Sequence, residues 1–270
     1  MHIDQLLDTT RRYINTELNK PTLSISKDWT QGRTAFGGVS AAMIYAAIKE
    51  KVTADRVLRS YSVNFVGPLH ADAPFDIEVD ILRQGKSATQ AIARAIQDGK
   101  TAIMCQACFG VARESKIEVK NTDKHTMSVP TKANFLPQLP KVTPKFLRHL
   151  DLARVEGGLP FTGSNKSHIH GWMRFTQAPQ KITDAHVIAL IDAWPPTTLQ
   201  MLRWPAPAST MCWNIEFIHP HSEFSPTDWF AYQANTRQAA HGYGHTEANI
   251  WDSQGELIAI SRQTVALFDS

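Results

Sequence analysis

The 270-residue chain is poor in cysteine, with only Cys105, Cys108 and Cys212. So few, and an odd number, exclude a disulfide-stapled scaffold and fit a reducing cytoplasm, which is the expected location. No apolar run approaches the length of a membrane span, so no membrane association is expected. Met1-His2-Ile3-Asp4 lacks a basic stretch followed by an apolar one, and a secretory signal is not expected either. Charge of one sign is also missing: the formal net charge is +3, and the densest basic stretch, 116–145, is mixed with acids and prolines. Nucleic-acid binding needs a basic stripe or a known module, and neither is present. The mild positive balance is compatible with an anionic small substrate.

Several chemical signatures are absent as well. There is no Gly-x-Ser-x-Gly elbow and no phosphate-binding glycine loop. Cys105-Gln106-Ala107-Cys108 has redox spacing, but it falls within an expected strand, where the two thiols point to opposite faces. His168-Ile169-His170 and His219-Pro220-His221 each place two imidazoles on one face of a strand, without a third ligand or a zinc-type spacing. No metal and no cofactor are expected. His241 and His245, beside Gly242 and Gly244, read as a bend or bulge in a strand.

What is present is a hydrophobic fraction of 43% against 20% charged residues, enough for a substantial core. One carboxylate lies inside an apolar stretch: Val187-Ile188-Ala189-Leu190-Ile191-Asp192-Ala193-Trp194, closed by Pro195-Pro196. The run is apolar on every side of a helical wheel and reads as a buried helix. An ionised carboxylate buried without partners is costly, so Asp192 needs groups that satisfy it. Two readings stand equally on the run alone: an acid in a pocket that does chemistry, and an acid that caps a turn or reaches solvent at the helix end.

The chain repeats an order of signals. Ser62-Val63-Asn64-Phe65-Val66-Gly67-Pro68-Leu69 is echoed by Asn214-Ile215-Glu216-Phe217-Ile218-His219-Pro220-His221, the phenylalanines being 217 − 65 = 152 positions apart. An alternating strand follows in each copy, 75–84 and 229–238. The turns at Asp98-Gly99 and Gln254-Gly255 come next, and then the last strands, 101–111 and 257–268. An apolar helix precedes the strands in each copy: Gly38 to Ile48 in the first, dominated by Ala and Gly, and the run around Asp192 in the second. A period this long indicates duplication of a whole domain. The expected division is 1–113, with a short amphipathic helix over 3–13; a surface linker, 114–145, carrying Pro130, Pro137, Pro140 and Pro144; and 146–270, opened by strands at 146–155 and 169–175. The expected class is α+β: in each repeat, an antiparallel sheet wrapped around a central helix.

With these residues in hand the chain resembles the acyl-CoA thioesterase II family, whose members are double-hotdog proteins. The resemblance rests on Ala35-Phe36-Gly37-Gly38, Tyr61-Ser62-Val63-Asn64-Phe65 with Gly67-Pro68, Leu190-Ile191-Asp192-Ala193, Ser209-Thr210 and Ser261-Arg262-Gln263-Thr264-Val265. It covers nearly the whole chain and is carried by the order and spacing of the motifs. It implies a catalytic trio of Asp192, Thr210 and Gln263, an acyl-CoA substrate and a role in fatty acid metabolism. Pro195-Pro196 so soon after the acid implies an earlier helix end than in other members.

Thioester hydrolysis needs an activated water and a place for charge on the carbonyl oxygen. A buried carboxylate accepts a proton from water, and Thr210 and Gln263 supply neutral donors and acceptors that hold both in place. They also answer the need of Asp192 for partners. On the strand alternation, Gln263 shares a face with Ser261 and Val265, and that face should point at the helix. Gly37-Gly38 opens the first helix. It is read equally as an oxyanion site that substrate approaches closely and as a device for tight packing. Trp194 and Trp204 are candidates to border an acyl tunnel. The alternatives are a non-catalytic acyl-CoA-binding hotdog protein, and an enoyl hydratase, which wants an Asp–His pair; the nearest histidine is His186, 192 − 186 = 6 positions back. Fused halves already supply a two-fold unit, which leaves both a monomer and a homo-oligomer open.

Overall fold

The computed structural model describes residues 1–137, 139 and 143–269; Pro140 of the expected linker lies outside them. The chain opens with helix α1 (Ile3–Asn15), whose buried Ile3, Leu6, Leu7, Thr10 and Tyr13 form one stripe. A short hairpin, β1 (Thr30–Gln31) and β2 (Thr34–Ala35), leads into α2 (Gly37–Lys49). Four strands follow: β3 (Val57–Phe65), β4 (Asp76–Gln84), β5 (Ala88–Gln97) and β6 (Lys100–Gly110). The second half runs β7 (Leu150–Gly157), β8 (His168–Phe175), α3 (Asp184–Ile191), β9 (Ala208–Phe217), β10 (Phe230–Ala240), β11 (Tyr243–Trp251) and β12 (Leu257–Leu267).

Ten strands form one antiparallel sheet in the order β4-β5-β6-β3-β9-β12-β11-β10-β8-β7. Helices α2 and α3 lie in its concavity. Every residue of α2 from Gly38 to Ile48 is buried, so the helix has no polar face to show. Small inward residues on the sheet make room for it, among them Ala91, Ala93, Ala95 and Ala107. The repeat becomes a pseudo-two-fold at the join of the halves. There Ser62 pairs with Asn214, its own counterpart 152 positions on, and the Ser62 hydroxyl donates to Asn214 Oδ1 at 2.7 Å.

Three local expectations need correction. Residues 145–149 form a 3-10 turn instead of a strand: Leu147 N–H bonds back to Pro144, and the Phe146 ring stacks on Phe36 at 4.0 Å. His241-Gly242 is the two-residue turn joining β10 to β11, both with positive φ (55° and 79°), as Asp98-Gly99 is between β5 and β6. The bulge in β10 falls at Thr236–Gln238 instead. The helix read over 187–194 runs Asp184–Ile191 instead, with Asp192 as its C-cap, and Pro195, which has no N–H for the Ile191 carbonyl, keeps it from continuing.

The connecting segment is mostly exposed but not unattached. His125 packs edge-on between Trp172 and Trp251, and Trp251 Nε1 donates to the Asp123 carbonyl at 3.0 Å.

Candidate active site

Asp192 is the C-cap of α3, and α3 lies antiparallel to α2, so the acid meets the first turn of the neighbouring helix. Gln263 Nε2 donates to Asp192 Oδ1 at 2.9 Å, and the Gly38 backbone N–H donates to the same carboxylate. Burial pushes the Asp192 carboxyl up to about 7, and these two hydrogen bonds, which favour the charged form, hold it back. The acid is neither a simple turn cap nor a group open to bulk water: it is partly exposed, and it lines a pocket.

The two glycines have separate reasons. A Cβ on Gly37 would stand 2.8 Å from Asp192 Oδ2 and 3.0 Å from the Phe65 ring. A Cβ on Gly38 would stand 2.6 Å from the Phe36 ring and 2.7 Å from the Ala189 carbonyl oxygen. Gly37 lets the acid approach the helix start; Gly38 lets the two helices touch, and its N–H is taken by the acid.

Gln263 comes from β12, where Ser261 and Val265 on its face are buried, Ser261 accepting from Trp213 Nε1 at 2.8 Å. Thr210 comes from β9. Gln263 pairs with Trp213, which is fully buried, so Thr210, three residues away, would face outward on a regular strand. A bulge at Met211 restores the parity: Thr264 pairs with Cys212 and Val265 with Thr210. Thr210 thereby joins Asp192 and Gln263 in lining one pocket. Among the described residues no side-chain hydrogen bond ties its hydroxyl to the other two.

The pocket is a cavity of about 400 Å³ between the halves. Gly37, Phe65, Leu69 and Ile103 line it from the first half, and Asp192, Trp194, Thr210 and Gln263 from the second. Trp194 borders this pocket; Trp204 does not, being 82% exposed. The sequence reading missed Ile103 and Tyr232. The Tyr232 hydroxyl is pushed upward by burial and by the charge of Asp192, which places it in the acid's field. Phe65 was visible in the repeat, but only as a strand signal. Cys105 is buried and Cys108 partly buried, on opposite faces of β6. The His168 and His170 rings lie 5.1 Å apart and those of His219 and His221 4.5 Å apart. Among the described residues no group of three His, Cys, Asp or Glu is arranged to hold a metal ion.

The pseudo-two-fold allows a mate of this site in the first half, and its residues differ. The bulge at Met211 recurs at Arg59, with Leu58 paired to Phe109 as Thr210 is to Val265. Tyr61 pairs with Ala107 as Trp213 does with Gln263. On the helices, the Asp184–Tyr45 hydrogen bond (2.9 Å) mirrors the Gly37–Asp192 contact, since 184 − 37 and 192 − 45 are both 147. Tyr45, Leu58 and Ala107 therefore stand where Asp192, Thr210 and Gln263 stand. Tyr45, Tyr61 and Phe109 pack together there, with ring centroids 5.9 and 6.2 Å apart.

Comparison with known proteins gives this geometry a family. Residues 25–110 match the acyl-CoA thioesterase N-terminal domain, and residues 126–267 the acyl-CoA thioesterase C-terminal domain. The chain is 24% identical over 263 residues to acyl-CoA thioesterase 2 of Haemophilus influenzae, covering 86% of each. A hot dog fold protein of unknown function from Alicyclobacillus acidocaldarius superposes with a TM-score of 0.78 at 21% identity, covering 96% of this chain and 97% of that one. An acyl-CoA thioesterase II from Mycobacterium marinum superposes with a TM-score of 0.70 at 19% identity, over 88% and 90%. The fold is the double hot dog, and the chain belongs to the acyl-CoA thioesterase family.

Proposed function

We propose that the protein hydrolyses an acyl-CoA thioester to the free acid and CoA by direct attack of water, with Asp192 as base. The observation that carries the reading is a carboxylate hydrogen-bonded to Gln263 and facing a pocket between two halves of a thioesterase fold, with burial pushing the group up to about 7. A base is most effective when its pKa lies near the working pH.

In this reading the thioester carbonyl sits beside Asp192 and Gly37. A water held by Asp192 and the Thr210 hydroxyl attacks the carbonyl carbon, and its proton passes to the carboxylate. The first turn of α2, whose Gly38 N–H is held by Asp192, is the positive dipole end of a 13-residue helix, and in this reading that end faces the oxygen that becomes negative. The C–S bond then breaks, and the departing CoA sulfur takes the proton from Asp192. No side chain forms a bond to the acyl group. Gln263 keeps the carboxylate aimed and favours its charged form.

The hydratase alternative loses its partner residue. His186 Nε2 contacts Asp4 Oδ1 at 2.9 Å and its Nδ1 contacts Thr183, so the imidazole is engaged away from Asp192. We also propose the division 1–113, 114–145 and 146–270, supported by the join at β3 and β9, and action on fatty acyl-CoA in the cytoplasm. Among the described residues no helix is long and apolar enough to cross a membrane.

The test is thiol release from a panel of acyl-CoAs by the wild type and by Asp192→Asn. Release by the wild type and its loss in the variant supports the assignment. Tight acyl-CoA binding with no release in the wild type would overturn it in favour of a binding protein.

A further inference from the structure

One wall of the catalytic pocket is the Trp194 indole, two residues beyond the acid and almost fully buried. Behind it stands Phe135, edge-on at 4.9 Å between ring centroids. Phe135 in turn lines a second cavity of about 470 Å³, where Leu136, Leu147, Leu150 and Leu152 share the wall with Arg148 and Asp151. Two cavities, one holding the acid and one walled in part by four leucines, are thus linked through a pair of aromatic rings.

The pair is held by packing. The Trp194 six-membered ring sinks into the sheet at Gly171, where a Cβ would meet it at 2.8 Å, and the indole stacks on Tyr232. Among the described residues the buried Trp194 Nε1 has no hydrogen-bond partner, so no directional bond fixes the indole. Phe135 belongs to the connecting segment, which is tied to β7: the Asn134 and Phe135 N–H groups donate to the Leu152 carbonyl at 3.0 and 3.1 Å, and Arg154 N–H donates to Asn134 Oδ1 at 2.7 Å.

We propose that Trp194 and Phe135 form the partition that sets acyl-chain length. An acyl group that fits the catalytic pocket is turned over with the rings in place, and a longer chain meets them. The second cavity beyond receives the tail when the partition is opened. This rests on the thioesterase reading above and adds to it a chain-length determinant supplied partly by the connecting segment.

The experiment measures thiol release over straight-chain acyl-CoAs from acetyl to palmitoyl, for the wild type, Trp194→Ala and Phe135→Ala. Each profile is normalised to its own best substrate. In both variants the optimum moves to longer chains. Each newly admitted methylene raises kcat/KM about fourfold, corresponding to about 0.8 kcal/mol of apolar burial. Leu147→Trp, added to Trp194→Ala, fills the second cavity and returns the optimum toward the wild-type length. Trp194→Phe gives an intermediate shift and keeps the test decisive if the alanine variant does not fold. Profiles of unchanged shape in all variants overturn the partition while leaving the thioesterase reading intact. Absence of thiol release by the wild type from every acyl-CoA overturns both.

Discussion

Replacing Asp192 by Asn keeps the shape of the side chain and removes its charge, and the structure predicts opposite effects on stability and on rate. Burial raises the carboxyl from 3.8 to about 7 in the folded protein. The folded state therefore binds this proton more tightly than the unfolded one, and the contribution of Asp192 to wild-type stability falls as pH rises from about 4 to about 7. The asparagine amide cannot ionise, so the variant lacks this loss. Between pH 5 and pH 8 the folded-state titration spans about two pH units, a ceiling of about 3 kcal/mol at 1.36 kcal/mol per unit. Asp192 is partly exposed to its pocket, and screening there reduces the effect to on the order of 1–2 kcal/mol. The new amide also turns a donor toward one of the two donors, Gln263 Nε2 and Gly38 N–H. That cost is the same at every pH and cancels in the comparison. Urea unfolding of both proteins at pH 5 and pH 8 reads the difference directly, and the stability of the variant relative to the wild type should grow with pH. Over the same range wild-type kcat/KM should climb to a plateau with a midpoint near pH 7, and the variant should lose about 10²- to 10⁴-fold. A stability difference that does not change with pH, together with retained turnover, would refute both the burial argument and the role of the acid.

Gln263→Leu removes a hydrogen bond that favours the charged carboxylate, so the acid limb of the pH–rate profile should move above pH 7, with kcat/KM down on the order of 100-fold; a limb that stays put or moves down contradicts the assignment. Thr210→Val should lower kcat about tenfold or more while Thr210→Ser restores it, because the proposed role uses only the hydroxyl; equal rates in the two would remove Thr210 from the mechanism. Gly38→Ala forces a methyl between Phe36 and the Ala189 carbonyl and should cost about 1–3 kcal/mol in thermal or urea unfolding. Gly37→Ala instead pushes on Asp192 and Phe65, so kcat/KM should fall with a smaller change in stability, and the reverse ranking would mean that the two glycines have been assigned the wrong roles.

The sequence by itself determined the apolar helices and the strand alternation, because each depends on residues close together in the chain, and the period, because it needs only a comparison of the chain with itself. The 152-residue offset explains the pairing of Ser62 with Asn214, since a duplicated strand lying antiparallel to its copy must meet its own counterpart at the two-fold. Asp192 stood out because a charge in an apolar run is a local anomaly. Its partners were named by family resemblance, and alternation supported Gln263. For Thr210 simple alternation from the buried Trp213 would have failed, since its inward face depends on a one-residue bulge set by pairing with β12. Residues 146–148 looked like strand and form a turn that seats the Phe146 ring on Phe36 from the other half, a contact remote in the chain. The tertiary structure alone decided that Gly38 spends its N–H on the acid, that Trp204 is exposed while Trp194 walls the pocket, and that Phe135 of the connecting segment stands behind it. Each of these depends on distances between side chains remote in the chain. Pattern reading supplies the faces of elements, and only packing supplies what those faces meet.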